Sequence, residues 1–417
     1  MSLLVISPDF ASHYEPLAVL ARAANSDGHR VVVATGLNIR QRAEADGFEW
    51  RLLQLGAGSN TGVAARDPSI ERFIAATAEG PLATIRRQAL DREKDLLWQP
   101  EQVSVEIARL YDEIDPERVL VDHVSFASTL GMYAAGRSFV TLVPGHPSQL
   151  PIGTERYGIP AIWPRHIRPD PHQLAELEHV VDRVTGAFTA RWNSALATVS
   201  PGRAPIEDAF RAHGFRVLYN SIAEMQAPSR SAGLPHDHRY VGPLVRHEQL
   251  PAALSSWSIR ADNRPQVYVA LGTFLSHRSD VLVSITKALQ HLGVRAAVAT
   301  GATPVEQFGP LPKDWVVAAQ LPQVAMLRSA DLIVHHGGNN SAQEALAAGV
   351  RQLVLPFSTD QFSNGADLER IGAASVLPPN EATVKDLALA IKAAFTSVRR
   401  PASKTLTNKH LVEAVFG

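Results

Sequence analysis

Short apolar runs alternate along both halves of the chain with stretches whose apolar positions recur at helical spacing. Residues 3–7 form an unbroken apolar run of the kind buried on both faces of a sheet, and a loop follows up to Pro16. Pro16 suits the first turn of a helix, which the spacing predicts over residues 17–24. The pattern returns as a strand over 29–36, a helix through Ala45 and a strand over 48–55. Helices are expected in the polar, proline-interrupted region 69–111, then strands at 118–122 and 139–144. The second half restarts with a strand at 267–272, further strands near Ala296, Trp315, Leu332 and Leu353, and a helix over 384–395. This is repeated βαβ patterning, so the fold class is α/β with two parallel-sheet, Rossmann-like domains and a cleft between them.

The boundaries follow from breaks in the pattern. Residues 244–264 lie between Pro243 and Pro265, contain Pro251 and several serines, and read as an exposed connector between a first domain at 1–243 and a second at 265–400. Arg399-Arg400-Pro401 stops the last long helix, which leaves 401–417 as a separate terminal helix.

Composition narrows the chemistry. The 417 residues carry a formal net charge of −1, so no basic field attracts nucleic acid. With no cysteine in the chain, disulfides, iron–sulfur clusters and thiolate zinc sites are excluded. No apolar run reaches bilayer length, and the first residues lack a basic leader and a cleavage site, which reads as a cytoplasmic protein without a membrane span.

The densest chemical signal is the run His335-His336-Gly337-Gly338-Asn339-Asn340-Ser341 between the strand at Leu332 and a helix containing Gln343 and Glu344. Small residues let backbone approach a ligand, side chains of Asn340 and Ser341 offer hydrogen bonds, and the first helical amides point outward, which suits a diphosphate. A second loop, after the strand at Leu353, carries Asp360 and Gln361, groups suited to sugar hydroxyls.

With these residues in place, the chain resembles nucleotide-sugar-dependent glycosyltransferases of GT-B fold, in particular bacterial enzymes that decorate antibiotics and other natural products. The plant form of the donor signature reads Trp-Ala-Pro-Gln, then His-Cys-Gly-Trp-Asn-Ser-x-x-Glu, then Asp-Gln. Here the matching positions are Pro322-Gln323, His336-Gly337-Gly338-Asn339-Asn340-Ser341-Ala342-Gln343-Glu344 and Asp360-Gln361. The resemblance implies that His336, Asn340 and Ser341 contact the donor diphosphate, that Glu344 accepts from the nucleoside sugar, that Asp360 and Gln361 recognise the transferred sugar, and that Gln323, Gly338 and Asn339 also belong to the donor site. Gly272-Thr273 resembles another family loop near the phosphates or the transferred sugar. The chain departs from the plant pattern at Gln320, where an aromatic would stack on the base, and has Asn339-Asn340-Ser341 in place of the usual bacterial Gly-x-Gly-Thr wording.

His13-Tyr14-Glu15-Pro16 resembles the family's His-x-x-Pro segment, which implies that His13 is the general base, and Asp122, ending a strand, is its natural orienting partner. His123 is a bystander by adjacency, His335 reads first as a core histidine, and His146 sits in a turn that either contacts ligand or only shapes the loop. No Asp-x-Asp triplet suggests a divalent cation, so neither metal nor cofactor is expected. The resulting expectation is an inverting O-glycosyltransferase taking a sugar, dTDP-activated by first preference, to a hydroxyl of an apolar small-molecule acceptor, with a homodimer left open. Two other classes would share the cradle: a nucleotide-sugar epimerase, and a non-catalytic partner of another glycosyltransferase.

Overall fold

The structure is a computed structural model that describes residues 2–56, 68–260, 262–397 and 400–417. Met1 and Arg399, which enter the readings of the amino terminus and of the helix stop, lie outside the described residues. The first sheet contains β1 (Ser2–Ile6), β2 (Arg30–Thr35), β3 (Glu49–Leu52), β4 (Arg118–Asp122), β5 (Val140–Val143), β6 (Arg216–Tyr219) and β7 (His238–Tyr240). These strands are all parallel, in the order β3-β2-β1-β4-β5-β6-β7. The second sheet contains β8 (Gln266–Ala270), β9 (Arg295–Ala299), β10 (Val316–Ala318), β11 (Leu332–His335), β12 (Arg351–Val354) and β13 (Ala374–Val376). It too is parallel, ordered β10-β9-β8-β11-β12-β13.

In each sheet the strand order reverses once, between β1 and β4 and between β8 and β11. Crossover connections diverge at that point, so the loops leaving the carboxyl ends of the two central strands border an open crevice. This topology places His13 beside Asp122 in one domain and Gly272 beside His336 in the other. Inside the sheets the apolar strand runs are buried on both faces: Leu4, Ile6 and Val121 face one cluster, while Leu3, Val5 and Leu120 face the opposite one.

Three expectations change. The first helix is Ala11–Ser26, so Pro16 lies inside it and His13 belongs to its first turn rather than to a loop. Proline has no N–H to offer the carbonyl four residues earlier, which leaves the Ser12 carbonyl without its helical partner. Asn340 of the second domain supplies one, its Nδ2 donating to Ser12 O at 2.8 Å.

The connector is not wholly exposed. A short 3₁₀ helix, Ala252–Ser258, buries Trp257 against Tyr268 and Met326, with its Nε1 donating to the Met326 carbonyl at 2.9 Å. An apolar ring of this size anchors the connector to the second domain; truncating a buried Trp costs about 3–5 kcal/mol.

The terminal helix, Asn408–Phe416, returns to the first domain. Leu411, Ala414 and Val415 pack among Leu3, Val5 and Leu17, and Arg216 and Arg118 donate to the Ala414 and Phe416 carbonyls at 3.0 Å. Two cationic side chains thereby satisfy the exposed carbonyl end of that helix, and the first domain is completed by the last residues of the chain.

Candidate active site

The domains enclose a cleft of about 1180 Å³ lined by both of them. On the first-domain side, His13 Nδ1 lies 2.9 Å from Asp122 Oδ2; the carboxylate is fully buried and the ring is 25% exposed. Asp122 is held in turn by the Val124 amide, which donates to Oδ1 at 2.9 Å. With Nδ1–H directed to the carboxylate, Nε2 is the ring nitrogen left to accept a proton. Burial works against a charged ring, but the Asp122 carboxylate, through charge and hydrogen bond, and then Asp360 outweigh it and hold the His13 pKa above 6.5.

Facing this pair is the amino end of the helix Asn339–Ala348, whose N-cap residue, Gly338, brings no capping side chain. Uncapped helical amides carry partial positive charge toward the cleft. His336, Gly338, Asn339, Asn340, Ser341 and Glu344 all line it, as do Gly272, Thr273, Gln323, Asp360 and Gln361. Glycine at 338 has a steric reason: a Cβ there would lie 2.4 Å from His336 Nε2. Burial lowers the His336 pKa to about 4, so this ring is neutral at pH 7, and its Nδ1 has no partner among the described residues. Gln323 Nε2 donates to Ser341 Oγ at 3.1 Å and to Glu344 Oε2 at 2.6 Å. Burial also pushes the Glu344 carboxyl up to about 6, against the opposing pull of Arg246 and Gln323.

Several expected residues are committed elsewhere. Although Asn339 borders the cleft, its side-chain Nδ2 donates across the domain boundary to Pro144 O at 2.8 Å and Asn220 O at 2.7 Å. Asn340, besides its bond to Ser12, accepts from Asn220 Nδ2 at 3.3 Å. Both asparagines therefore clasp the domains together in this state. Of the two roles left open for His146, the structure places the ring away from the cleft, buried between Ser148, at 2.8 Å, and Asp367, at 3.0 Å. Only its backbone reaches the site, the amide donating to Asp360 Oδ2 at 3.4 Å.

Gln361 uses its side-chain oxygen to accept from the Phe357 amide at 2.9 Å and to close a capping box with Ser358. The neighbouring Thr359 has φ +25°, a left-handed conformation costly for a β-branched residue, and the strain falls next to Asp360. His335 and His123 are core histidines: the first pairs with Gln352 at 2.9 Å, the second with the Gln149 carbonyl at 2.8 Å.

Sequence reasoning missed Arg246 and Glu248, assigned to the connector. Arg246 is paired with Glu344, and Glu248 accepts from the Val324 amide at 2.8 Å, fixing the short helix Gln323–Leu327 that carries Gln323. Their signal was the Arg-x-Glu spacing just after Pro243, hidden because the surrounding segment has no periodic pattern. Among the described residues, no group of three His, Cys, Asp or Glu side chains is arranged to hold a metal ion, and no helix is long and apolar enough to cross a membrane.

Comparison with known proteins adds a family. Residues 286–414 match the family described as "Erythromycin biosynthesis protein CIII-like, C-terminal domain". The chain is 29% identical over 155 residues to NDP-glycosyltransferase YjiC of Bacillus subtilis (strain 168), a match that covers 37% of this chain and only 39% of that relative's length. It is 24% identical over 373 residues to zeaxanthin glucosyltransferase of Pseudescherichia vulneris, covering 87% of this chain and 83% of the relative. Among solved structures, glycosyltransferase VinC in complex with dTDP superposes with a TM-score of 0.65 at 20% identity, over 100% of this chain and 94% of VinC.

Proposed function

We propose, for a chain whose residues 286–414 match the erythromycin biosynthesis protein CIII-like C-terminal domain and whose two halves form a GT-B fold, that it transfers a sugar from a nucleoside diphosphate to a hydroxyl of a natural-product acceptor. The observation that carries this reading is the opposition of two unlike devices across one cleft: the His13–Asp122 pair on one domain and the uncapped amino end of the Asn339–Ala348 helix on the other.

In the reaction, His13 Nε2 takes the proton of the acceptor hydroxyl while that oxygen forms a bond to the anomeric carbon. The bond from that carbon to the diphosphate oxygen breaks, and its electron pair leaves with the nucleoside diphosphate. Asp122 stabilises the imidazolium that results. Attack opposite the leaving group inverts the anomeric configuration. Charge growing on the departing oxygens is met by the helix amides and Ser341, donors already in place before the reaction, so the transition state gains more than the ground state and a metal ion is not required. Glu344, beside Gln323, accepts from the nucleoside sugar.

A dTDP donor is supported by the dTDP bound in the structurally similar VinC and by the antibiotic-pathway family of the carboxy-terminal domain. The test is to incubate the protein with dTDP-, UDP- and GDP-sugars in EDTA, with and without a hydroxylated acceptor panel. Product is then followed by mass and by the anomeric NMR coupling. An inverted glycoside formed from a dTDP-sugar is expected. A donor sugar epimerised without acceptor would instead establish an epimerase, and no turnover of any donor would leave the partner-protein reading.

A further inference from the structure

We propose that Arg92 is an anchor for a carboxylate on the acceptor, so that the preferred acceptors carry an acid group beside the hydroxyl to be glycosylated. This deepens the transfer reading and rests on it. Four arginines line the cleft among the described residues: Arg22, Arg42, Arg92 and Arg246. Three of them are neutralised, Arg22 by Asp46 at 2.8 Å, Arg42 by Glu15 at 2.6 Å and Arg246 by Glu344. Arg92, on the helix Pro81–Asp95, has no carboxylate partner among the described residues; its one hydrogen bond is from Nη1 to the Tyr157 carbonyl at 2.9 Å.

The surroundings are shaped for this guanidinium. Its carbon lies 4.7 Å from the centre of the Tyr157 ring, a cation–π contact, and that ring is fixed from beneath by Phe210, stacked at 4.2 Å and 2°. Gly158, at φ +83°, leaves the notch in which the guanidinium sits, because a Cβ there would lie 2.0 Å from Arg92 Nη2. One bond to a carbonyl uses one of five N–H donors, and partial burial without an anion beside it works against the charged form, which agrees with the downward shift that burial gives this half-buried group.

A planar carboxylate matches the unused edge of the fork. Tyr157 feels the charges of both Asp122 and Asp360, which ties this pocket to the vicinity of the reacting groups. Gln88 and Gln149 also line the cleft, and their side-chain oxygens are buried with no hydrogen-bond partner among the described residues.

The test compares two probes that differ in the acid alone, 6-hydroxy-2-naphthoic acid and 2-naphthol, by calorimetry at pH 7.5 in the presence of saturating dTDP. Wild-type protein should bind the acid about tenfold or more tightly than the naphthol. Arg92→Gln should bring that ratio to near one, and Arg92→Lys, which keeps the charge but loses the fork, should restore part of it. A purely structural role for Arg92 would change affinity for both probes alike and leave the ratio intact. Equal or absent binding of the probes to wild-type protein, or an acid preference that survives Arg92→Gln, would overturn the proposal. dTDP titration of each variant reports that its cleft is folded, and the outcomes separate: an Arg92-dependent acid preference without sugar transfer removes the transferase reading and keeps the anchor, whereas transfer with no acid preference does the reverse.

Discussion

Asp122→Asn isolates the charge of the carboxylate while keeping its shape. In the native site Asp122 Oδ2 and His13 Nδ1 are 2.9 Å apart. That contact puts the charge centres roughly 4 Å apart in the imidazolium state, worth about 4 kcal/mol at an effective dielectric constant near 20. The ring is 25% exposed, and solvent screening reduces this to about 2–4 kcal/mol. In the proposed reaction the full charge on His13 arises only as the acceptor proton is transferred, so the loss falls on the transition state and corresponds to about a 30- to 1000-fold drop in kcat/KM.

A pH profile should move with it. Neutral His13 is the active form, so the native rate rises with pH along a limb whose pKa lies above 6.5. Removing the carboxylate removes the largest influences raising that pKa, and the limb shifts to lower pH as the plateau falls. Stability follows the same linkage: the folded-state pKa of His13 is raised, so its contribution is complete below 6.5 and fades as pH climbs through the folded value. The variant should therefore lose more stability at pH 6 than at pH 9. Release of dTDP from a dTDP-sugar, measured from pH 5 to 9 with acceptor, gives the profile. A plateau reduced less than threefold with an unmoved limb would refute the coupling.

Asn340→Ala should lower stability by about 1 kcal/mol by abandoning the Ser12 carbonyl, and in a Pro16→Ala background, where the helix regains an N–H for that carbonyl, the same substitution should cost less; thermal melts of the four proteins complete the cycle. Ser341→Ala removes a hydroxyl that lines the cleft and, with the proposed diphosphate contact, should weaken dTDP binding by about 10- to 100-fold in calorimetry, with unchanged affinity speaking against that contact. His146→Ala breaks a buried pair with Asp367, and a stability loss of about 3 kcal/mol or more with dTDP affinity retained is expected; a variant with native stability but lost nucleotide binding would contradict a structural role.

The two sheets were legible because strands buried on both faces are apolar without interruption, as at Leu3 to Ile6 and Leu332 to Val334. β7 and β13 were not, since these short edge strands mix polar residues into the run, and β6 offers only the three apolar residues Val217 to Tyr219 after Arg216. Pro16 misplaced the first helix start, because a proline inside a helix reads locally like one that begins it; the compensating Asn340 is 324 positions away from it in sequence and belongs to the other domain. Similarly, nothing local tells that Leu411 and Val415 cover the first sheet, or that Trp257 of the connector is buried.

In the site, His13 and Asp122 were brought together as expected, whereas the ring of His146 turns into the core and Asn339 spends its amide on the opposite domain. Those roles depend on partners far away in sequence. Arg92 was invisible for the same reason, as its character lies in the lack of a carboxylate partner among the described residues.

The account's central claim, that a base on one domain acts on a donor held by the other, is tested most directly by His13→Ala. Turnover of a saturating dTDP-sugar is measured for this variant and the native protein, with dTDP affinity measured in the same preparations. Turnover should fall by about 10²- to 10⁴-fold while dTDP affinity stays within about twofold. Native turnover in the variant would contradict the claim.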